Sequence, residues 1–275
     1  MLTKICKDLF FTFFVLSLIL FIEGDYMFTD THCHISIVDY DNIESTIIKA
    51  KEYGIEKFIN NGSNAKTNME VLALSKKIDG MYAAIGIHPE EVNDYKEKDL
   101  EFIEEHIDEI VAIGEIGLDY HYDGYDKKRQ IDLFEKQLKL AEKYEKPVIV
   151  HSRDATEDTI NTLKKYPSVR GSIHCFTGSL ETAKIYLNMG YKLGFGGVTT
   201  FKNAKIRAIL DEIPDDGILL ETDSPYLSPE PVRGSKNEPK NIYHIAKFIA
   251  EYKGVSLEYL SKITEDNVRT LFDIR

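Results

Sequence analysis

From Met27 onward the sequence alternates short apolar, β-prone runs with amphipathic helical segments, and this alternation limits the fold more than any other feature. The runs at 28–31, 57–60, 81–87, 110–116, 147–150, 169–174, 191–195 and 218–221 predict eight strands. Between them apolar residues recur at helical spacing, as in Ile43, Ile47, Ile48 and Ala50, or in Phe134, Leu138 and Ala141 of the longest helix, 130–144. Regular strand–helix alternation means βαβ units and a parallel sheet. Eight such repeats, in a stretch close to the ~250 residues typical of the architecture, predict an α/β fold, a (β/α)8 TIM barrel. The segment 241–272 predicts two extra C-terminal helices packed outside it. An open doubly wound sheet is the structural alternative, but no Gly-x-Gly-x-x-Gly follows the first strand.

Charge narrows the function. A formal net charge of -12 excludes a nucleic-acid binder that works through a broad basic surface. It leaves room for an enzyme whose bound metal ions supply the local positive charge. The three cysteines, Cys6, Cys33 and Cys175, form no framework and no Cys-x-x-Cys, which fits a reducing, cytoplasmic setting. Residues 1–26 stand apart as an apolar N-terminal segment, and 27–275 read as a single domain. Lys4 and Lys7 precede the apolar run 9–22, and the chain then turns polar at Glu23-Gly24-Asp25. Three readings fit: a start placed too far upstream of Met27, an uncleaved membrane anchor, or a signal peptide for export. A membrane is a partner only on the anchor reading, and no obligate protein partner is evident.

In a barrel of this kind, functional residues come from the C-terminal ends of the strands and the loops that follow. Those ends carry His32 and His34, His88, Glu115, His151, His174, and Asp223. His-x-His alone has a bland reading, two polar residues where a strand meets a loop. Five of the eight histidines at strand ends are harder to explain that way. Four imidazoles and two carboxylates suit Zn²⁺ or Mn²⁺ and admit Mg²⁺. Six groups exceed the needs of one catalytic ion and suit two ions ~3.5–4 Å apart that share a carboxylate. Glu115, on the middle strand, is the expected bridge. His32, His34 and Asp223 are expected on one side, and His151 and His174 on the other.

The segments Asp-Thr-His-Cys-His (30–34), Gly-Ile-His-Pro (86–89), Gly-Glu-Ile-Gly-Leu-Asp-Tyr (114–120), 130–141, 147–155, His-Cys-Phe-Thr-Gly (174–178) and Glu-Thr-Asp-Ser-Pro-Tyr-Leu (221–227) run in order along nearly the whole domain. In these the chain resembles the TatD family of metal-dependent deoxyribonucleases, within the amidohydrolase-like barrels. The resemblance implies that His32, His34, Glu115, His151, His174 and Asp223 are metal ligands. It also implies hydrolysis of DNA phosphodiester bonds from a 3′ end, with DNA bound locally as substrate. Glu115 stands where many related hydrolases carry a carbamylated lysine, which separates this branch from dihydroorotase- or urease-like ones. Asp223 and Glu115 are the expected catalytic residues, Asp223 orienting the attacking water and accepting its proton.

Around the ligands, His88 is expected near the substrate. Arg153, Arg233 and Lys236 are candidate phosphate donors, against a surface ion-pair reading for Arg153. Tyr120, Phe176 and Tyr226 are candidate stacking rings for a base, against plain rim packing. Cys33 and Cys175 read as buried structural thiols facing away from the ions. The same dinuclear site suits an ester or amide hydrolase, such as a D-aminoacyl-tRNA deacylase or a small-molecule deacetylase. A non-enzymatic, metal-dependent interaction protein is the reading from another class.

Overall fold

The apolar runs pair edge to edge in chain order in the computed structural model, which describes residues 26–274. The strands are β1 (Phe28–Cys33), β2 (Ile55–Asn61), β3 (Met81–Ile85), β4 (Ala112–Asp119), β5 (Val148–Arg153), β6 (Gly171–Ile173), β7 (Tyr191–Phe195) and β8 (Ile218–Leu220). All seven ladders between successive strands are parallel. The helices between them are α1 (Ile43–Lys51), α2 (Ala65–Lys77), α3 (Glu97–Glu105), α4 (Lys127–Tyr144), α5 (Thr156–Leu163), α6 (Leu180–Asn188) and the short α7 (Arg207–Leu210). Two more, α8 (Ile242–Lys253) and α9 (Leu257–Phe272), follow the last strand. The fold is a (β/α)8 TIM barrel with extra C-terminal helices. The apolar run 9–22 and its three readings lie outside the described residues. Among the described residues no helix is long and apolar enough to cross a membrane.

Side chains alternate along each strand between the helix layer and the barrel interior. Phe58, Ile85, Ile113, Val148, Val150 and Leu220 pack outward with helix residues such as Phe134 and Leu138. Their neighbours Ile59, Ala84, Ala112, Ile149 and Leu219 point inward and pack with Val268, Phe272 and Ile274. The second tail helix is therefore not simply laid outside the barrel, as the sequence suggests, but closes its floor. The interior there is lined by small and medium apolar residues that would otherwise face water. Polar contacts pin α9 in place: Ser261 bonds to both main-chain groups of Met27, Glu265 accepts from Thr29 Oγ1 (2.7 Å) and Lys57 (3.0 Å), and Asn267 donates to Asp215 and Ile218 carbonyls.

Closure between β8 and β1 uses side chains and post-strand main chain. Thr31 Oγ1 donates to Leu220 O (2.9 Å), and Asp30 accepts from Thr222 N (2.9 Å) and Thr222 Oγ1 (2.5 Å). Beyond the strands, Asp223 N donates to His32 O (2.9 Å) and His34 N to Ser224 O (2.7 Å). The seam thus locks His32 and His34 to the segment carrying Asp223. Buried amides extend other ladders past their ends. Asn60 pairs with both main-chain groups of Ile35, and Asn68 with both of Gly86.

Candidate metal centre

The six expected ligands converge at the C-terminal mouth of the barrel, opposite the floor that α9 closes. Glu115, buried on β4, divides them between its two oxygens. Its Oε2 lies 3.6 Å from His32 Nε2 and 3.3 Å from His34 Nε2. Asp223 Oδ1 completes that half, 3.5 and 3.6 Å from the same two nitrogens. Glu115 Oε1 lies 2.9 Å from His151 Nδ1 and 2.8 Å from His174 Nε2. The imidazole nitrogens also face one another, His32 and His34 at 3.0 Å, His151 and His174 at 3.1 Å.

The outer ring atoms decide what the inner ones can be. His34 Nδ1 sits 3.0 Å from the Asn61 carbonyl, an acceptor only, so that nitrogen carries a proton and Nε2 of the neutral ring is a lone pair. His151 Nε2 sits 2.9 Å from Asp119 Oδ2, which leaves its Nδ1 as the lone pair facing Glu115. Each half is then a cluster of acceptors aimed at one another. A divalent cation satisfies that arrangement, and in its place protons must. Burial alone would lower the His34 pKa, but hydrogen bonds to Asp223 and Glu115 outweigh it and raise it to about 10. His174 is raised well above the ordinary value, burial being overcome by the Glu115 charge. Glu115 is lowered well below the carboxylate range: burial raises it, and the charges of His174, His88 and His32 more than offset this. The donor set fits a hard or borderline cation.

His88 behaves differently. Its Nδ1 accepts from Glu90 N (3.2 Å), so the neutral ring carries its proton on Nε2, 3.6 Å from Glu115 Oε1. It therefore presents a donor to the site rather than a ligand lone pair. Beside the cluster lies a cavity of about 230 Å³ lined by His34, Asn61, His88, Glu115 and Tyr226. Its lining carries Asp39, Glu70, Glu90 and Glu91, and among the described residues no lysine or arginine lines it.

A sequence model of the family described as "TatD related DNase" matches residues 29–273. The chain belongs to the TatD family. It is 42% identical over 255 residues to the uncharacterised metal-dependent hydrolase YabD of Bacillus subtilis (strain 168), covering 90% of this chain and 100% of that one. A relative from Rahnella sp. (strain Y9602), named 3′-5′ ssDNA/RNA exonuclease TatD, is 32% identical, with 85% of this chain and 93% of the relative covered. The crystal structure of YjjV, a TatD homologue from Escherichia coli K12, superimposes with a TM-score of 0.84 at 31% identity, covering 90% of this chain and 98% of that one. The protein is thus a TatD-family, metal-dependent hydrolase.

Within this TatD barrel two expected stacking rings are engaged elsewhere. Phe176 is 5% exposed, with its ring packed edge-on against Tyr186. The Tyr120 ring stacks on Tyr125 (4.5 Å) with Lys127 above it, and its hydroxyl donates to Asp158 (3.1 Å). Tyr120 lies one residue past β4 and Phe176 three past β6, where a side chain can turn to either side, and packing turned these away. Tyr226 remains 59% exposed, 6.3 Å from the His34 ring. Arg153 is exposed at the end of β5, its guanidinium 5.3 Å above Tyr122. Arg233 lies over Phe201 (4.1 Å) with Glu230 4.0 Å away, and Lys236 lies over Tyr40 (4.8 Å). Cys33 and Cys175 are free thiols; Cys33 is fully buried, whereas Cys175 is partly accessible.

Two residues of the site were not singled out in the sequence. Asp119 holds His151 from outside. Its position four after Glu115, on the same face of an extended strand, is the signal that could have found it. Glu221, 1% exposed, accepts from Cys175 N (2.5 Å) and lies 3.8 Å from His174 Nδ1. Gly194 makes room for it, since a Cβ there would fall 2.1 Å from Glu221 Oε2.

Proposed function

We propose that the chain hydrolyses phosphodiester bonds of single-stranded DNA from the 3′ end, using two divalent cations (Mg²⁺, Mn²⁺ or Zn²⁺). The observation that carries this reading is the division of donors between the two oxygens of Glu115. His32, His34 and Asp223 would hold one cation with Oε2, and His151 and His174 the other with Oε1. When bound, such ions supply an activated water as nucleophile and neutralise charge on the phosphate. Asp223, at the open edge, orients the attacking water and takes its proton. His88 donates from Nε2 to substrate in the cavity, and Arg153 pairs with a phosphate at the rim. Tyr226 offers an exposed ring for one base. No nucleophilic side chain is required. The name of the Rahnella relative supports both the substrate class and the direction, and the free thiols support a reducing, cytoplasmic setting.

One observation favours a second reading. The cavity lining of Asp39, Glu70, Glu90 and Glu91 suits a cationic group better than a phosphate. An ester whose acyl part carries an amine, such as a D-aminoacyl-tRNA, would place that amine there. Purified protein with added Mn²⁺ separates the two readings. On 5′-labelled single-stranded DNA the nuclease gives a ladder that shortens stepwise, and on 3′-labelled DNA it releases labelled mononucleotide first. Intact DNA together with release of D-amino acid from charged tRNA would overturn the nuclease reading in favour of the second.

A further inference from the structure

The buried face of α4 presents Gln130 and Gln137 two turns apart, among Leu133, Phe134, Leu138 and Ala141. Amides buried in an apolar face cost free energy unless their polar atoms are paired. Both are paired with main chain, Gln137 just past the end of β3 and Gln130 at the end of β4. Gln137 accepts from Ile87 N (2.8 Å) and donates to Ile87 O (3.0 Å). Gln130 accepts from Asp119 N (2.9 Å) and donates to Asp119 O (2.8 Å).

The second clamp fills a gap in the sheet. On one side β4 pairs with β5 as far as Asp119 and Arg153. On the other, β3 pairs with it only at Ala112 and Ile113. The far end of β4 thus lacks a neighbour on that edge, and Gln130 supplies the donor and acceptor that a strand would have given. From this fixed position Asp119 sets Oδ2 2.9 Å from His151 Nε2.

We propose that Gln130 is a positioning residue for the metal centre: by clamping both main-chain groups of Asp119 it fixes the carboxylate that holds a proton on His151 Nε2 and leaves Nδ1 facing Glu115. The inference rests on His151 being a metal ligand. A ligand imidazole must offer its lone pair in one direction, and partners behind such ligands typically account for 10–100-fold in metal affinity.

Calorimetric titration of the metal-free protein with Mn²⁺ tests it. Gln130→Leu is expected to weaken the ion on the His151 side roughly 10-fold and leave the other within about 2-fold. Asp119→Asn should weaken the same ion at least as much. The decisive comparison is Gln130→Leu in the Asp119→Asn background. There it should weaken binding no further, because no carboxylate remains to be positioned, while thermal unfolding falls by a similar amount in both backgrounds. Equal weakening in both backgrounds would show general loosening and overturn the inference, as would unchanged affinity in either single variant. Should Gln130→Leu not fold, Gln130→Glu keeps the acceptor for Asp119 N, loses the donor to Asp119 O, and should follow the same pattern. A wild-type protein that takes up no Mn²⁺ would overturn the metal reading along with this one, whereas two-ion binding without the coupling overturns this one alone.

Discussion

Glu115 gives one oxygen to each half of the cluster, so on the two-cation reading its loss would not be that of one ligand among six. Glu115→Ala leaves four imidazoles and Asp223 with no common anion, and should lower turnover by more than the ~100-fold upper end seen for outer partners. Glu115→Gln keeps the shape, but a neutral amide bridges two cations poorly, so it should fail nearly as far. Metal content and turnover of both purified variants check this; near-normal activity in Glu115→Ala would remove the shared-carboxylate mechanism. His34 and His174, both raised by the carboxylates they face, together set the pH behaviour of metal uptake. The His34 ring, at about 10 in the metal-free site, is protonated through neutral pH. A cation must expel that proton, so affinity rises with pH below about 10, by roughly tenfold per unit for each proton released. Mn²⁺ dissociation constants across the neutral range would read the slope, and a flat profile would mean that neither ring gives up a proton to the cation.

The strands and their connecting segments explain what the sequence made legible. Alternation located all eight strands, and the clustering of histidines at their ends pointed to the site. The structure extends β4 through Asp119, past an irregular rung between Ile113 and Ile116; Gly117, with φ 141°, allows the close approach to β5 that follows, since a Cβ there would fall 2.0 Å from His151 O. With the strand taken to end at Ile116, a carboxylate four after Glu115 reads as a loop residue, which is why Asp119 went unnoticed. Conversely β6 and β8 are only three residues long, so His174, Glu221 and Asp223 stand on post-strand segments whose facing follows from tertiary bonds. The facing of Phe176 and Tyr120 was illegible for the same reason. The β8–β1 seam is the element-level joint on which ligand spacing depends. Thr222→Val removes the hydroxyl that Asp30 accepts and should cost about 1–3 kcal/mol in urea unfolding of the metal-free protein. Thr222→Ser should recover most of that loss. Equal losses in the two variants would show that the hydroxyl does not hold the seam.

At the scale of the whole molecule, an acidic chain that acted on a polyanion, as proposed above, would have to touch it at few points. The net charge is -12, and near the mouth the exposed cations named above are Arg153, Arg233 and Lys236. Counting ~0.7 per neutralised phosphate of a single strand, log(kcat/KM) should fall with log salt at a slope no steeper than about −2. A slope near ~−5 would demand a basic track and contradict local binding. The opposite end of the barrel makes a separate prediction. Phe272→Ala opens the floor beneath Ile59, Ala84 and Ala112 and should cost ~3–5 kcal/mol in unfolding free energy while leaving Mn²⁺ affinity unchanged. Weakened Mn²⁺ binding in that variant would show that floor and mouth are coupled.

The floor also sets a timetable for biosynthesis. Met27 and Thr29 find their partners in Ser261 and Glu265, 234 and 236 residues further along the chain. At a ribosomal pace of ~5–20 residues per second, the first strand waits between roughly 10 and 50 seconds for them. Until α9 emerges the inner faces of the strands already made have no plug, and until β8 emerges β1 has no neighbour on its outer edge. Every nascent copy therefore passes through an open-edged stage in which association with other chains competes with closure of the barrel.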